Sequence, residues 1–143
     1  MPGYSGTPLP RKLGVKDEFR VALLHVPEDV KAELKDALGK CRILTPAAGA
    51  LDFIFLFAKS RAGLERDLFP AAQALAPAGM LWIAWPKKSS GVATDLDGNT
   101  VRQSGLAAGL VDIKVCAITE VWSGLKFVIP VKNRPKGKQV IAQ

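Results

Sequence analysis

The chain has few of the residues that build metal centres and redox sites. Its 143 residues include a single histidine and two cysteines. Cys41 and Cys116 lie in separate strand-like segments without metal-ligand spacing, so we expect no metal site and two reduced, packed thiols. No apolar run approaches the roughly 18 residues that span a bilayer. Met1–Gly6 has neither half of a signal peptide, so we expect a cytoplasmic protein with no membrane segment.

Glycine is missing from the turn where the first predicted strand meets the first predicted helix. The turn reads Leu24-His25-Val26-Pro27. Nucleotide-type α/β domains usually hold their cofactor at this point with glycines, whose backbone N–H groups approach the ligand closely. Side chains fill the turn here, and the sequence therefore predicts no bound cofactor.

The charge of the chain is positive. Twenty lysines and arginines outnumber 13 aspartates and glutamates, for a net charge of +7, which favours an anionic partner. Lys132, Arg134, Lys136 and Lys138 alternate with proline, glycine and asparagine near the C-terminus. We interpret residues 133–143 as a flexible basic tail, through which nucleic acid is a possible partner.

Strand-like and helix-like segments alternate along the rest of the chain. Residues 1–18 are predicted to form an N-terminal arm or short helix packed on the domain, and residues 19–132 a single α/β domain. The predicted strands are 19–24, 41–44, 51–57, 80–85, 113–119 and 125–131. Helices are predicted from Pro27, from a Ser60 cap with Pro70 kinking or splitting the helix, and over 97–109. This order predicts a three-layer α/β sandwich with a mostly parallel sheet.

The helix and strand hairpin that end the domain, together with Leu75–Ile83, resemble class I methyltransferases that depend on S-adenosylmethionine. Asp52–Ile54 is similar to the start of that family's fourth strand. The resemblance implies a six-stranded Rossmann-like sheet of order 2-1-3-4-6-5 with strand 6 antiparallel. Two binding features are absent: the family's glycine loop aligns with Leu24–Pro27, and its acidic residue after the second strand aligns with the neutral Leu44–Pro46.

A closer resemblance covers the chain as far as Lys132. Its blocks are Tyr4–Leu9, Lys12–Gly14, Trp85–Lys88, Gly109–Asp112, Lys114–Ile118 and Trp122–Val128. On these blocks the chain is similar to a small bacterial family known as domain of unknown function 3052. The resemblance implies a bacterial cytosolic protein and supplies no activity.

Polar residues that follow the predicted strands define a candidate site. Ligands of open α/β sheets bind beyond the carboxyl ends of the strands, and a helix N-terminus with lysine and arginine donors suits a phosphate or carboxylate. The candidate ligand-binding residues are His25, Lys59, Ser60, Arg61, Lys87, Lys88, Ser89 and Ser90. Alternatively, the cations are solvated or pair with Asp52, Glu65 or Asp67. No catalytic residue is assigned.

Three functions remain open on these observations. The first is a non-catalytic domain that binds a small anionic ligand or a protein partner over the carboxyl edge of its sheet. A second is an enzyme that binds S-adenosylmethionine or another nucleotide in an altered pose, with His25 or Asp95 as base. The last is a nucleic-acid-associated protein that uses the basic tail.

Overall fold

The computed structural model describes residues 7–134, so the predictions about residues 1–6 and about the tail beyond Arg134 lie outside the described residues. The strands are β1 Arg20–Leu24, β2 Arg42–Leu44, β3 Leu51–Phe57, β4 Leu75–Pro86, β5 Val111–Ala117 and β6 Trp122–Val128. The α-helices are α1 Leu9–Leu13, α2 Glu28–Leu38, α3 Arg61–Gln73 and α4 Gly98–Ala107. Short 3₁₀ helices span Pro46–Ala48, Lys88–Ser90 and Val131–Asn133.

The six strands form one sheet in the order β2-β1-β3-β4-β6-β5. β1 pairs in parallel with β2 and β3, and β3 pairs in parallel with β4. β6 is antiparallel to both of its neighbours, β4 and β5. The predicted fold class, strand order and direction of strand 6 are therefore confirmed.

Helices cover both faces of the sheet and produce two hydrophobic cores. On one face, Phe53, Phe55 and Trp82 pack with apolar residues of α1 and α2. On the other, Leu81 and Ile83 pack with residues of α3 and α4. Alternate residues of a strand point to opposite faces, so a central strand needs apolar side chains at nearly every position. This is why β3 is an almost unbroken apolar run.

Helix α3 begins as predicted, but it is not split. The Ser60 hydroxyl accepts a 3.0 Å hydrogen bond from the backbone N–H of Gly63, which caps the helix. Pro70 lies within a single helix that runs from Arg61 to Gln73. The helix ends within one turn of Pro70, so the absent proline N–H removes one hydrogen bond near its end.

β1 and β2 start one residue later than predicted, and the bounds of β4, β5 and β6 differ from the predicted ones by more. β4 starts at Leu75, which pairs with Leu51, and the register then shifts so that Met80 pairs with Phe53. The residues between Leu75 and Met80, which the sequence analysis placed outside the strand, therefore lie within β4 at this irregularity. The β5–β6 turn lies earlier than predicted because the Thr119 hydroxyl accepts hydrogen bonds from the backbone N–H groups of Val121 and Trp122.

Candidate ligand-binding site

The candidate residues lie at one edge of the sheet. Because β1, β3 and β4 run in parallel, their carboxyl ends meet there. His25 follows β1, Lys59 follows β3 and Lys87 follows β4 at this edge. The alternation of strands and helices thus places the predicted residues on the side of the sheet where α/β proteins bind ligands.

A cavity of about 640 Å³ lies between the β1–α2 turn and α3. Its lining includes the buried side chains of Phe57, Ala58 and Trp122. The polar lining residues are His25, Lys59, Ser60, Arg66 and Asp67. The cavity therefore combines an aromatic floor with a polar rim that carries the positive charges of Lys59 and Arg66 and the negative charge of Asp67.

His25 occupies the position that a glycine would be expected to hold in the β1–α2 turn. Its φ is 60°, a left-handed conformation that side chains adopt infrequently, although histidine is among the residues enriched there. The imidazole Nε2 lies 3.0 Å from Asp67 Oδ2 on α3. This hydrogen bond joins the turn to α3 across the cavity rim and orients the imidazole.

Asp67 is the anionic centre of the rim. Partial burial favours a higher pKa for its carboxyl group, but the hydrogen bonds and charges of Arg66 and His25 outweigh burial and hold the pKa below its usual value. Arg66 contacts both carboxylate oxygens, with Nε 3.3 Å from Oδ1 and Nη2 3.2 Å from Oδ2. Asp67 is consequently ionised at neutral pH and already shared between two cationic or polar partners.

The N-terminus of α3 already has internal acceptors. Besides the Ser60 cap, the Asp95 carboxylate accepts a 2.7 Å hydrogen bond from the backbone N–H of Arg61. The Thr94 hydroxyl donates to the backbone carbonyl of Lys59 at 2.6 Å, which holds the segment before α4 against this end of α3. The helix end therefore offers fewer free donors to an external anion than the sequence suggested. Asp95 is engaged in capping, which argues against its use as a base.

Arg61 points away from the cavity. Its Nε lies 3.2 Å from Glu65 Oε2, one of the alternative pairings that the sequence had left open. Arg61 and Glu65 line a separate groove of about 640 Å³ between α3 and α4. Asp52, another proposed partner, instead accepts a hydrogen bond from the backbone N–H of Arg20.

Lys87, Lys88, Ser89 and Ser90 lie at the end of β4 and line neither this cavity nor the α3–α4 groove. The Ser90 hydroxyl donates to the backbone carbonyl of Lys87 and accepts from the backbone N–H of Val92, so it stabilises its own loop. Asp97 caps α4, and the hydrogen bonds of Thr100, helped by the charge of Lys88, lower the Asp97 pKa. The structure thus brings His25, Lys59 and Ser60 together and places the other candidates elsewhere along the edge.

Several cavity residues were not singled out as ligand-binding candidates from the sequence. Arg66 and Asp67 lie within α3, beyond the segment that directly follows β3. Gly63, Arg66 and Asp67 are spaced as i, i+3 and i+4, a pattern that places them on one helix face and could have indicated a shared lining. Trp122 enters from the distant β6, and no local signal in the sequence connects it with His25.

Other kinds of site are not indicated in the described part of the chain. Within residues 7–134, no group of three or more histidine, cysteine, aspartate or glutamate side chains is arranged to hold a metal ion. Cys41 and Cys116 are both free thiols. Over the same residues, no helix has the length and apolar character to cross a membrane.

The fold and the position of the cavity define a methyltransferase-like Rossmann domain. The chain is similar to a methyltransferase from Aquifex aeolicus described as SAM-dependent (TM-score 0.57, 12% identity, 88% of this chain and 90% of that one). It is also similar to a TehB-like SAM-dependent methyltransferase from Corynebacterium glutamicum (TM-score 0.53, 11% identity, 89% and 90%). A fibrillarin pre-rRNA processing protein from Methanococcus jannaschii has the same fold (TM-score 0.51, 13% identity, 90% and 71%).

A family model described as "Protein of unknown function (DUF3052)" matches residues 11–131, and the chain belongs to that family. The comparison with curated proteins gave no match. The predicted family and the methyltransferase-like fold are therefore confirmed. At sequence identities this low, the solved structures show that the fold is shared, and they show nothing about function.

The residues of this site do not fit S-adenosylmethionine in the pose that the resemblance implies. His25 places an imidazole in the turn where a glycine would let the backbone approach the ligand. Glu28 and Asp29 lie in the first turn of α2, where their charge opposes a carboxylate. β2 ends at Leu44 and is followed by Thr45, so no carboxylate is positioned there to bind ribose hydroxyls.

Proposed function

We propose that this protein is a non-catalytic, methyltransferase-like domain that binds a small anionic ligand in the cavity between the β1–α2 turn and α3. The observation that carries the proposal is the cavity lining, in which Lys59, Arg66 and His25 surround a buried aromatic floor. The β1–α2 turn, which binds the cofactor in other domains of this fold, carries the His25 side chain here.

Charge supports an anionic ligand. Lys59 and Arg66 contribute two positive charges to the rim, against the single carboxylate of Asp67. Asp67 already contacts Arg66 and His25, which leaves Lys59 and the remaining guanidinium donors for a ligand. Because Arg66 and Lys59 are exposed, water and salt screen them, and we expect moderate affinity.

The floor supports a ligand with a flat apolar part. The Phe57 and Trp122 rings meet edge to face with centroids 4.7 Å apart, and both line the cavity. Aromatic surfaces of this kind favour a stacked or edge-on ring. An aromatic or heteroaromatic carboxylate or phosphate satisfies both the rim and the floor.

A ligand screen tests the proposal directly. Purified protein is examined by thermal shift, then by calorimetry, against aromatic carboxylates, phosphorylated metabolites, nucleotides, S-adenosylmethionine and its demethylated product. Ligands that bind only the folded state raise the melting temperature. We expect stabilisation by a member of the aromatic carboxylate or phosphate group and none by S-adenosylmethionine.

Three variants locate the site. Lys59→Ala with Arg66→Ala is expected to weaken binding by about tenfold or more, since charge-assisted hydrogen bonds are lost. Arg61→Ala is the matched control, because this arginine is a neighbour in sequence but lines the α3–α4 groove. Lys87→Ala with Lys88→Ala tests the rest of the predicted edge. If only this last variant lost binding, the ligand would lie at the end of β4 and the cavity proposal would be wrong.

The screen also separates the remaining alternatives. Stabilisation of the wild type by S-adenosylmethionine would favour an enzyme with an altered cofactor pose. If no compound stabilises the protein, a protein partner at the same edge becomes the better hypothesis. Nucleic-acid binding through Lys136 and Lys138 stays a prediction, checked by binding that falls steeply with salt and is lost when residues after Lys132 are deleted.

The His25–Asp67 pair favours a second candidate, an enzyme in which His25 is a general base. A carboxylate that orients an imidazole is a common arrangement in acid–base catalysis. The test is conversion of a bound compound, followed by mass spectrometry. Loss of conversion in His25→Asn with binding retained would support the enzyme, since asparagine also accepts a positive φ.

A further inference from the structure

The two lateral edges of the sheet differ in length and exposure. β2 closes one edge with three residues, whereas β5 forms the other with seven. β5 pairs with β6 alone among the described strands, and Ile113 and Val115 are 55% and 66% exposed. A long edge strand with exposed apolar side chains is a template for another strand.

Hydrogen bonding shows which backbone groups of β5 face outward. The N–H of Ile118 donates to the carbonyl of Trp122 at 2.8 Å, so Ile118 faces β6. Backbone groups alternate in an antiparallel pair, and those of Val115 and Ala117 therefore point away from β6. Lys12 Nζ donates to the outward carbonyl of Ala117 at 2.9 Å. Within residues 7–134, neither backbone group of Val115 has a hydrogen-bond partner outside β5.

Lysines concentrate positive charge on one face of this edge. Lys114 and Lys126 are paired across β5 and β6, on the side of the sheet that carries α1. Lys114 Nζ lies 3.3 Å from the backbone carbonyl of Lys12. Lys126 makes no hydrogen bond or ion pair with any residue between Thr7 and Arg134. Burial, and after it the charge of the neighbouring Lys114, lower the Lys126 pKa.

We propose that β5 is a docking edge for an extended acidic peptide of another protein, which adds a strand beside Val115 and places its carboxylates opposite Lys114. Side chains of the added strand alternate between the two faces. Acidic residues would face the lysine side, and apolar residues would lie beside Val115 on the other face. Hydrogen bonds between the two backbones contribute the affinity, and the alternation of acidic and apolar side chains along the peptide determines which peptides bind.

The charge favours this partner over a second copy of the chain. Antiparallel pairing of two β5 strands around a twofold axis keeps like faces together, so the two Lys114 side chains would lie on the same face and repel. A register shift between Asp112 and Lys114 also marks a bulge in β5, a feature that discourages flat self-pairing. The chain's own Lys136 and Lys138 have the wrong charge to complement this edge.

The probe is a fluorescent peptide of about nine residues in which glutamate and valine alternate. We expect it to bind in an anisotropy titration, and a lysine–valine peptide of the same length not to bind. An acidic peptide with alternate backbone amides methylated cannot pair with β5 and is expected not to bind. These two control peptides separate strand addition from simple charge attraction, and they need no change in the protein.

Protein variants test the assigned residues. Lys114→Glu is expected to weaken binding by about tenfold, since an attraction becomes a repulsion. Val115→Pro removes an outward N–H donor and leaves the hydrogen bonds between β5 and β6 in place. It is expected to weaken binding more than Val115→Ala, which keeps the donor and removes only part of the apolar contact. Arg42→Glu, an exposed charge reversal on the opposite edge strand, is the matched control and is expected to leave binding unchanged.

Several results would overturn the proposal. One is equal binding of the acidic and basic peptides, and another is unchanged binding by Lys114→Glu. Sedimentation that shows a dimer lost in Val115→Pro would assign the edge to a second copy of the chain. Circular dichroism of each variant establishes that it is folded before its binding is compared.

Discussion

The indole Nε1 of Trp82 donates a 2.9 Å hydrogen bond to the backbone carbonyl of Leu13. Both side chains are fully buried, and the two residues are 69 positions apart in the sequence. The bond joins α1 to the central strand β4. A five-residue helix is too short to be stable alone, so its attachment depends on this bond and on burial of Leu9 and Leu13.

Trp82→Phe tests that attachment. The substitution leaves the Leu13 carbonyl without its donor and removes buried volume, so we expect the free energy of unfolding to fall by about 2–3 kcal/mol in urea titrations. Trp85→Phe is the control, because the Trp85 indole is nearly buried but makes no hydrogen bond within residues 7–134. Equal losses in the two variants would show that the hydrogen bond adds nothing beyond side-chain volume.

Gly105 sets how closely α4 approaches the sheet. A Cβ at this position would overlap the ring of Phe127, which is fully buried on β6. Gly105→Ala is therefore expected to lower the free energy of unfolding by about 1–3 kcal/mol, because helix and ring must move apart. Thermal or urea unfolding measures this loss.

Gly98 on the same helix provides a matched comparison. A Cβ there would lie 3.5 Å from Trp85, an ordinary van der Waals contact. Gly98→Ala is expected to change stability by no more than about 0.5 kcal/mol. If Gly105→Ala were equally mild, the close packing of α4 on Phe127 would not be a constraint on the fold.

Asp67→Asn tests the electrostatics of the cavity rim. The Asp67 pKa is lowered in the folded protein, so the ionised carboxylate stabilises the fold above the unfolded-state pKa of about 3.9. That stabilisation disappears as the pH falls through the lower folded-state pKa. At pH 7 we expect the variant to be less stable by about 0.5 kcal/mol, given the partial exposure of the pairs.

The decisive measurement is how the difference in the free energy of unfolding between the wild type and Asp67→Asn depends on pH. Urea unfolding of both proteins between pH 7 and pH 3 is expected to show the difference shrinking below about pH 4. A difference that stays constant over this range would mean that the charge of Asp67 contributes nothing. The loss in Asp67→Asn would then reflect packing or a neutral hydrogen bond to His25.

Local patterns in the sequence were sufficient for much of the fold. The apolar run Leu51–Phe57 was predicted with the bounds that β3 has, because a strand buried on both faces must be apolar at nearly every position. Ser60 was correctly predicted to cap α3, since a capping hydroxyl acts within three residues. The strand order rested on the resemblance to methyltransferases, and it was confirmed.

The candidate site was only partly predictable. His25, Lys59 and Ser60 were predicted at this edge because they lie just after the ends of β1 and β3, and the structure places all three in the lining of one cavity. Their role in binding a ligand stays a prediction. Asp95 reaches the N-terminus of α3 from 34 residues away, a contact that no local spacing signals. The Asp95 carboxylate accepts from the backbone N–H of Arg61, a donor at the start of α3 that the sequence analysis had left for a ligand.

By itself, the sequence determined the order of strands and helices and the absence of glycine from the first turn. These properties depend on local periodicity and on residue type, which are readable along the chain. Only the tertiary structure decided that His25 bonds to Asp67, that Arg61 turns toward Glu65, and that Trp122 lines the cavity. Such contacts depend on which side chains the packed layers bring together, and a side chain's direction is fixed only when its neighbours are in place.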